Sequence, residues 1–424
     1  MSGIVIGIDA GTSGIRCVAM DSAGNITAQA GVQMADHGAD GSDPATWLRA
    51  GLAALTALLK QVDPDSVRAL AVDGTSGTVL PIDAAGTPLS RALMYSDVVG
   101  EAAILERIAA CAPAASAARG PTSGLAKALL FQSLPRVARV VHQADWLAGL
   151  LSGRFDVSDE NNALKTGYNP VRRQWPEWIG RAGMNMSLLP RVVAAGTPTG
   201  PVSAATSERF GLPAHAIVVA GTTDGCASFL ATGADAVGEG VSALGSSLTI
   251  KLLSDKPVYA PQFGIYSHRL GDKWLAGGAS NTGGQVLAAY FSPERIVALS
   301  RGIDPDTDTG LDYYPLVNDG ERFPIADPAL KPRMHPRPEN DAEFLKAIFE
   351  GIANIEALGY RRLAELGCPP LISVRSVGGG SVNAVWTRIR ARKLGVPMPP
   401  ALSSEAAAGA AGLALQGARA AGLI

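Results

Sequence analysis

The sequence predicts an α/β protein built from two copies of one unit. In each copy β-hairpins lead into a helix and then a strand that ends in a glycine turn. Three observations carry this reading. Ile4–Ile8 and Ala216–Ala220 are short continuous apolar runs, the pattern of strands buried on both faces. The predicted strands stop at clusters of Gly, Thr, Ser and Asp: Gly11-Thr-Ser-Gly14, Asp73-Gly-Thr-Ser-Gly77, Gly221-Thr-Thr-Asp-Gly225 and Gly378-Gly-Gly-Ser381. The order of elements in the first half recurs in the second, which marks an internal duplication although identity between the halves is weak.

Taken in order, Ile4–Ile8 and Ile15–Met20 flank the first glycine turn. Asp21-Ser-Ala-Gly-Asn25 has the composition of a second hairpin turn, leading to a strand over Ile26–Met34. Asp43 is placed to cap a helix with Pro44 in its first turn, and Leu48, Leu52, Leu55, Leu58 and Leu59 follow helical spacing. Val67–Val72 is the buried strand that follows, and Thr78–Asp83 begins another hairpin. In the second half Gly240–Leu244 and Leu248–Leu253 flank Gly245-Ser246-Ser247. Ala342–Leu366 is a long amphipathic helix and Ile372–Val377 a strand. Cys226–Thr232 reads as helical, so Asp224 stands at the carboxyl end of a strand, where α/β proteins place ligands.

The 424 residues imply two or three domains, and 47% hydrophobic residues against 17% charged supply large cores. A net charge of −2 without a basic block argues against a nucleic-acid partner. Cys17, Cys111, Cys226 and Cys368 have no CxxC spacing, which favours a reducing, cytoplasmic setting over zinc or disulfides. His37, His142, His215, His268 and His335 form no metal-ligating pair. No signal segment and no run of the ~20 apolar residues needed for a membrane span is expected.

The first glycine turn precedes β-type residues rather than a helix, so it is not a dinucleotide fingerprint, and no GxxxxGK[ST] is present. It is either an ordinary hairpin turn or a concavity in which backbone N–H groups and the Thr12 and Ser13 hydroxyls meet phosphate oxygens. Asp9 ends an apolar strand, which is costly without a cationic partner. Arg16 is one candidate and hydrated Mg²⁺ another, since Mg²⁺ favours one or two carboxylates plus phosphates; the alternative is a side chain that only caps its turn. Asp224 is either a helix cap or a general base. Gly245–Ser247 is a second hairpin of phosphate-binding composition, and Gly378–Ser381 with Asn383 allows close backbone approach by an adenosine. Ser76 lies near Asp9 if their strands are neighbours. Gln143-Ala-Asp145-Trp146 and Asn161-Asn162-Ala-Leu-Lys165 are polar clusters that suit a polyol, or any buried loop.

The succession D-x-G-T-S, D-G-T-S-G, G-T-T-D-G, L-G-S-S and G-G-G-S-x-N, from Gly7 to the Ala/Gly-rich C-terminal helix, resembles the FGGY carbohydrate kinases. Within them, "QADWL", "NNALKTGY", "GGASNTGG" and "GLDYYPLVNDGERFPIADP" look closest to the compact D-ribulose kinases of cyanobacteria and plants. The resemblance implies two actin-like (ribonuclease H-like) ATPase domains with an interdomain cleft. They would comprise a sugar-binding domain over 1–231, completed by helix 405–424, and an ATP-binding domain over 232–404. It implies ATP and Mg²⁺ as cofactors, Asp224 as general base, and Asp9 and Asp224 as the Mg²⁺ carboxylates. Gly11, Thr12, Ser13, Gly245, Ser246 and Ser247 would meet phosphates, with Gly379, Gly380 and Asn383 on the adenosine side. Asp9, Ser76 and Asp224 would meet the pentulose, with Lys165 a further substrate contact. Larger members carry a Trp-x-Asp-x-Arg element where this chain reads Tyr95-Ser96-Asp97-Val98-Val99; that departure favours a small open-chain ketose.

The expected activity is phosphorylation of D-ribulose to D-ribulose 5-phosphate, with domain closure excluding water. Alternatives are D-xylulose, L-ribulose or another polyol. From a different class come an ATP-driven switch, disfavoured because the chain ends after the duplicated core, and a non-catalytic sugar sensor. The expected partners are a small sugar and ATP, without nucleic acid or membrane, in a monomer or homodimer.

Overall fold

The computed structural model describes residues 3–424, which divide into two compact units. The first comprises residues up to Ala231, His268–Gly271 and Glu405–Ile424; the second comprises Thr232–Ser267 and Asp272–Ser404.

The first unit is organised around a six-stranded sheet formed by β1 (Ile4–Ala10), β2 (Gly14–Asp21), β3 (Ile26–Gln33), β4 (Val67–Gly74), β5 (Pro198–Pro201) and β6 (Ile217–Thr223), in the order β3-β2-β1-β4-β6-β5. β1, β4 and β6 run parallel; β2 and β3 fold back as antiparallel hairpins. β3 stops one residue before the expected Met34, because Met34 is buried in a short 3-10 turn and its N–H donates to the Ser13 carbonyl at 2.8 Å. β4 runs two residues further than Val72, through Asp73 and Gly74, held on both sides by β1 and β6.

One group of helices in this unit is amphipathic. Pro44–Leu59 starts where Asp43 accepts the Ala45 N–H at 3.0 Å; it buries Leu55, Leu58 and Leu59, while Leu48 and Leu52 are only half-buried. The helix Ala406–Ala420 packs against β1, β2, β4 and β6 through small side chains. Its approach requires Gly7: a Cβ there would lie 2.0 Å from the Ala407 carbonyl oxygen. Gly7→Ala therefore forces helix and sheet apart.

The second unit repeats the plan. β7 (Glu239–Leu244), β8 (Leu248–Ser254), β9 (Lys273–Ala279) and β10 (Ser373–Val377) lie in the order β9-β8-β7-β10, with β7–β8 and β8–β9 antiparallel and β7–β10 parallel. This matches β3-β2-β1-β4, and the hairpin turns Gly11–Ser13 and Gly245–Ser247 occupy equivalent places. The helices Asp341–Glu365 and Ala384–Leu394 are joined by a fully buried ion pair. Arg390 donates from Nε and Nη2 to Glu356 at 2.6 and 2.7 Å, and Ser242 Oγ donates to Glu356 at 2.5 Å. Such a pair is costly to form and more costly to break on one side. No helix among the described residues is long and apolar enough to cross a membrane.

Candidate functional site

Parallel strands present their carboxyl ends together, and here three adjacent ones end in acidic residues. Asp9 on β1 is in register with Asp73 on β4, Asp73 is in register with Thr222 on β6, and Asp224 opens the helix Asp224–Ala231 directly after β6. Asp9 is 6% exposed and Asp73 fully buried. Burial, followed by the neighbouring Asp9 carboxylate and then that of Asp224, pushes the Asp73 carboxyl well above the usual range. Burial, with Asp224 and Glu405 adding to it, also raises Asp9, against the opposing effects of Asp73 and Arg16. Both Asp73 carboxyl oxygens are buried without a hydrogen-bond partner among the described residues, so burial holds this carboxyl further above the usual range than that of Asp9. Arg16, the expected partner of Asp9, is 3.8 Å from it, half-exposed, and divided with Glu405 at 3.4 Å. The cluster thus carries more acid than base, an arrangement that accepts a cation. Among the described residues no group of three or more His, Cys, Asp or Glu side chains is arranged to hold a metal, so a metal here would need ligands beyond these carboxylates.

The hairpin turn beside Asp9 is closed by Gly11 N–H donating to the Gly14 carbonyl at 3.1 Å. That commits the Gly11 amide, which the sequence reading offered to phosphate. Thr12 and Ser13 are exposed at the tip. Asp224 is half-buried as the first residue of its helix, where a negative charge is favourable, and accepts its neighbour Gly225's N–H at 2.6 Å.

β4 continues into the loop Gly74–Thr78, which is held at nearly every residue. Gln143 Oε1 accepts from Thr75 N–H at 3.0 Å and Thr75 Oγ1 at 2.8 Å. Lys165 Nζ donates to the Ser76 carbonyl at 3.1 Å, and Lys127 Nζ donates to the Gly77 carbonyl at 2.8 Å. The Ser76 hydroxyl, in contrast, is shielded from solvent and has no partner. An unsatisfied buried hydroxyl costs about 1–3 kcal/mol, which is the mark of a ligand or water site. The other polar clusters have structural work as well: Asn161 Nδ2 donates to Thr222 Oγ1 at 2.9 Å, Asn162 Nδ2 to Asp159 at 2.6 Å, and His142 links Asp145 and Thr166. Gln143 Nε2 and Asn162 Oδ1 are nevertheless, like the Ser76 hydroxyl, buried without a partner.

The second unit carries a cavity of about 670 Å³, within the range of small-ligand pockets. Its walls are apolar, including Leu287, Phe291, Ile296 and the stacked pair Phe349 and Trp386, whose ring centroids are 4.9 Å apart. Gly245, Ser246, Gly379, Gly380 and Asn383 all line it; Ser247 belongs to the same turn. The carbonyls of Gly245 and Ser246 accept from Gly284 and Gln285 N–H at 2.8 and 3.0 Å, which fixes the turn. Gly380 is required by packing, since a Cβ would sit 2.6 Å from the Trp386 ring. Asn383 caps the helix Ala384–Leu394 by accepting Trp386 N–H at 3.0 Å and donates to Ser300 Oγ at 2.9 Å, so its amide shapes the wall.

Thus Asp9, Ser76, Asp224, Lys165, Thr12 and Ser13 all belong to the first unit, and the Gly245–Ser247, Gly379, Gly380 and Asn383 set belongs to the second. From the sequence Lys127 has no role, Asp73 stands only in a strand-end turn, and Gln143 is only part of a polar cluster that suits a polyol or any buried loop. Asp73 carries the signal that marked Asp9, a carboxylate closing an apolar strand.

The chain matches the N-terminal domain of the FGGY family of carbohydrate kinases over residues 4–110 and its C-terminal domain over residues 240–421. An autoinducer-2 kinase from Yersinia enterocolitica is 28% identical over 290 residues, 62% of this chain. The chain spans about half the length of that curated relative, 54% of it. Among solved structures, a xyloylose kinase from Brucella ovis shares the fold with TM-score 0.85 at 23% identity, covering 98% of this chain and 91% of the other. Glycerol kinase from Plasmodium falciparum with ADP superposes with TM-score 0.83 at 18% identity, covering 99% and 90%. The duplicated sheets are those of two actin-like ATPase domains, and the chain belongs to the FGGY family of carbohydrate kinases.

Proposed function

We propose that this chain is an ATP-dependent kinase that phosphorylates a ketopentose, with D-ribulose as the substrate and D-ribulose 5-phosphate as the product. The observation that carries the reading is the unpartnered Ser76 hydroxyl, on a loop otherwise fully held, which leaves the strand end bearing Asp73 beside Asp9 and Asp224. A small polyol supplies the missing hydrogen-bond partner, and Lys165 contributes remaining N–H donors.

Asp224 acts as general base. Its carboxylate is ready to accept the proton of the attacking hydroxyl, and such catalysis contributes about 10²–10⁴-fold. The reaction transfers the terminal phosphoryl group of ATP to that oxygen, leaving ADP, and most of the barrier is lowered by positioning and charge neutralisation. Asp9 and Asp224 would hold Mg²⁺, a fit supported by the excess of acid over base around Asp9; when bound, the ion neutralises phosphate charge. Thr12 and Ser13 supply hydroxyls and N–H groups to phosphate oxygens; in the second unit Ser246, with Ser247 in the same turn, lines the nucleotide cavity. The apolar cavity with Gly379 and Gly380 in its wall receives the adenosine. The four free cysteines fit a reducing, cytoplasmic setting.

The test is ADP release across pentuloses, pentoses and polyols, compared as kcat/KM. D-ribulose is expected to lead. D-xylulose in first place would change the sugar; an aldose in first place, or no stimulation by any sugar, would overturn the assignment.

A further inference from the structure

Lys127 is fully buried on the helix Gly124–Phe131, and no carboxylate lies within ion-pairing distance among the described residues. Its Nζ donates to two carbonyls from different loops: Gly77 at 2.8 Å, next to Ser76, and Met94 at 2.6 Å, where the segment Tyr95–Val99 begins. A second bond ties the same loops, with Tyr95 N–H donating to Thr78 Oγ1 at 3.0 Å. Tyr95 and Val98 on that segment are exposed, at 48% and 65%. A buried ammonium with no carboxylate in direct contact is expensive, and apolar packing would hold a helix in place without it. Its placement is explained by what it holds.

We infer that Lys127 is a positioning residue for the sugar. Its ammonium clamps the Gly74–Thr78 loop to the Tyr95–Val99 segment and so sets where the Ser76 hydroxyl stands. The inference rests on the proposal that the sugar binds at Ser76. The clamp acts on sugar affinity: it touches neither Asp224 nor the nucleotide cavity. Burial lowers the Lys127 pKa to about 8, with Lys165 adding to the fall and Asp97 opposing it. Above that pH the neutral amine keeps two N–H groups but loses the charge that makes such bonds about twice as strong. Sugar KM should therefore rise above pH 8.

The experiment compares wild type, Lys127→Met and Ser76→Ala in steady-state assays with D-ribulose and ATP, alongside thermal unfolding. Lys127→Met is expected to raise sugar KM about tenfold, the effect of one lost buried hydrogen bond, with kcat and ATP KM within about twofold. If Ser76→Ala raises sugar KM and Lys127→Met does not, the clamp is wrong while the sugar site stands. If neither raises it, the sugar site itself is wrong. A lower Tm with unchanged constants, or kcat and both KM values moving together, makes Lys127 purely structural and overturns the inference. Should Lys127→Met not fold, the wild-type profile from pH 7 to 9.5 decides: a rise in sugar KM above pH 8 supports the clamp, and a flat profile overturns it.

Discussion

Asp224→Asn is the substitution that separates chemistry from binding. The amide is isosteric, and its oxygen can still accept the Gly225 N–H that the carboxylate accepts at 2.6 Å. The helix Asp224–Ala231 therefore keeps that bond and loses a favourable charge at its N-terminus, about 0.3–1 kcal/mol. Asp224 also raises the carboxyls of Asp9 and Asp73, so its neutralisation makes both easier to ionise and does not disable them. What disappears is the proton acceptor, together with one of the two carboxylates proposed for Mg²⁺. General-base loss is worth about 10²–10⁴ in rate, or roughly 3–5 kcal/mol in barrier height. Coupled ADP release with saturating sugar and ATP should show that fall in kcat, while calorimetric titration with ADP should give an unchanged Kd. A kcat within about threefold of wild type would refute the role of Asp224 as base.

Gly380→Ala drives a methyl group to 2.6 Å from the Trp386 ring and 2.8 Å from Leu244 Cβ, so the cavity wall must shift. Overpacking of about 1–3 kcal/mol should weaken ADP binding by about tenfold or more in calorimetry while leaving sugar-induced thermal stabilisation intact; loss of sugar stabilisation alone would count against the nucleotide assignment. Glu356→Gln leaves Arg390 buried without its counter-charge and should cost about 3–5 kcal/mol in chemical denaturation. A loss under about 1 kcal/mol would show that the pair contributes little to joining the helices Asp341–Glu365 and Ala384–Leu394 and would contradict this reasoning.

The central strands were legible because Ile4–Ile8 and Ala216–Ala220 are apolar on both faces and stop abruptly at glycine turns. The helix Pro44–Leu59 was legible through its cap and its leucine spacing. Asp9 and Asp224 stood out because a carboxylate at the end of an apolar run is costly. Asp73 sent the same signal, yet within Asp-Gly-Thr-Ser it also reads as an ordinary turn. Less could be read between Thr87 and Val193, where the helix Gly124–Phe131 is buried on most sides and shows no polar face to set a period. The braces on the Ser76 loop are invisible locally: Gln143 and Lys127 reach it across 68 and 50 residues of chain. Only the packed fold brings them there. Asn383 illustrates the reverse case, a residue picked for a ligand whose amide is engaged in capping a helix and bonding Ser300.

The most direct test is to incubate the protein with ATP, Mg²⁺ and D-ribulose and follow phosphorus by NMR alongside ADP. The account predicts one phosphorylated pentulose formed per ADP, with the phosphate on a primary hydroxyl, and little ADP without sugar. ADP formed at the same rate with and without D-ribulose, and no sugar phosphate, would contradict it.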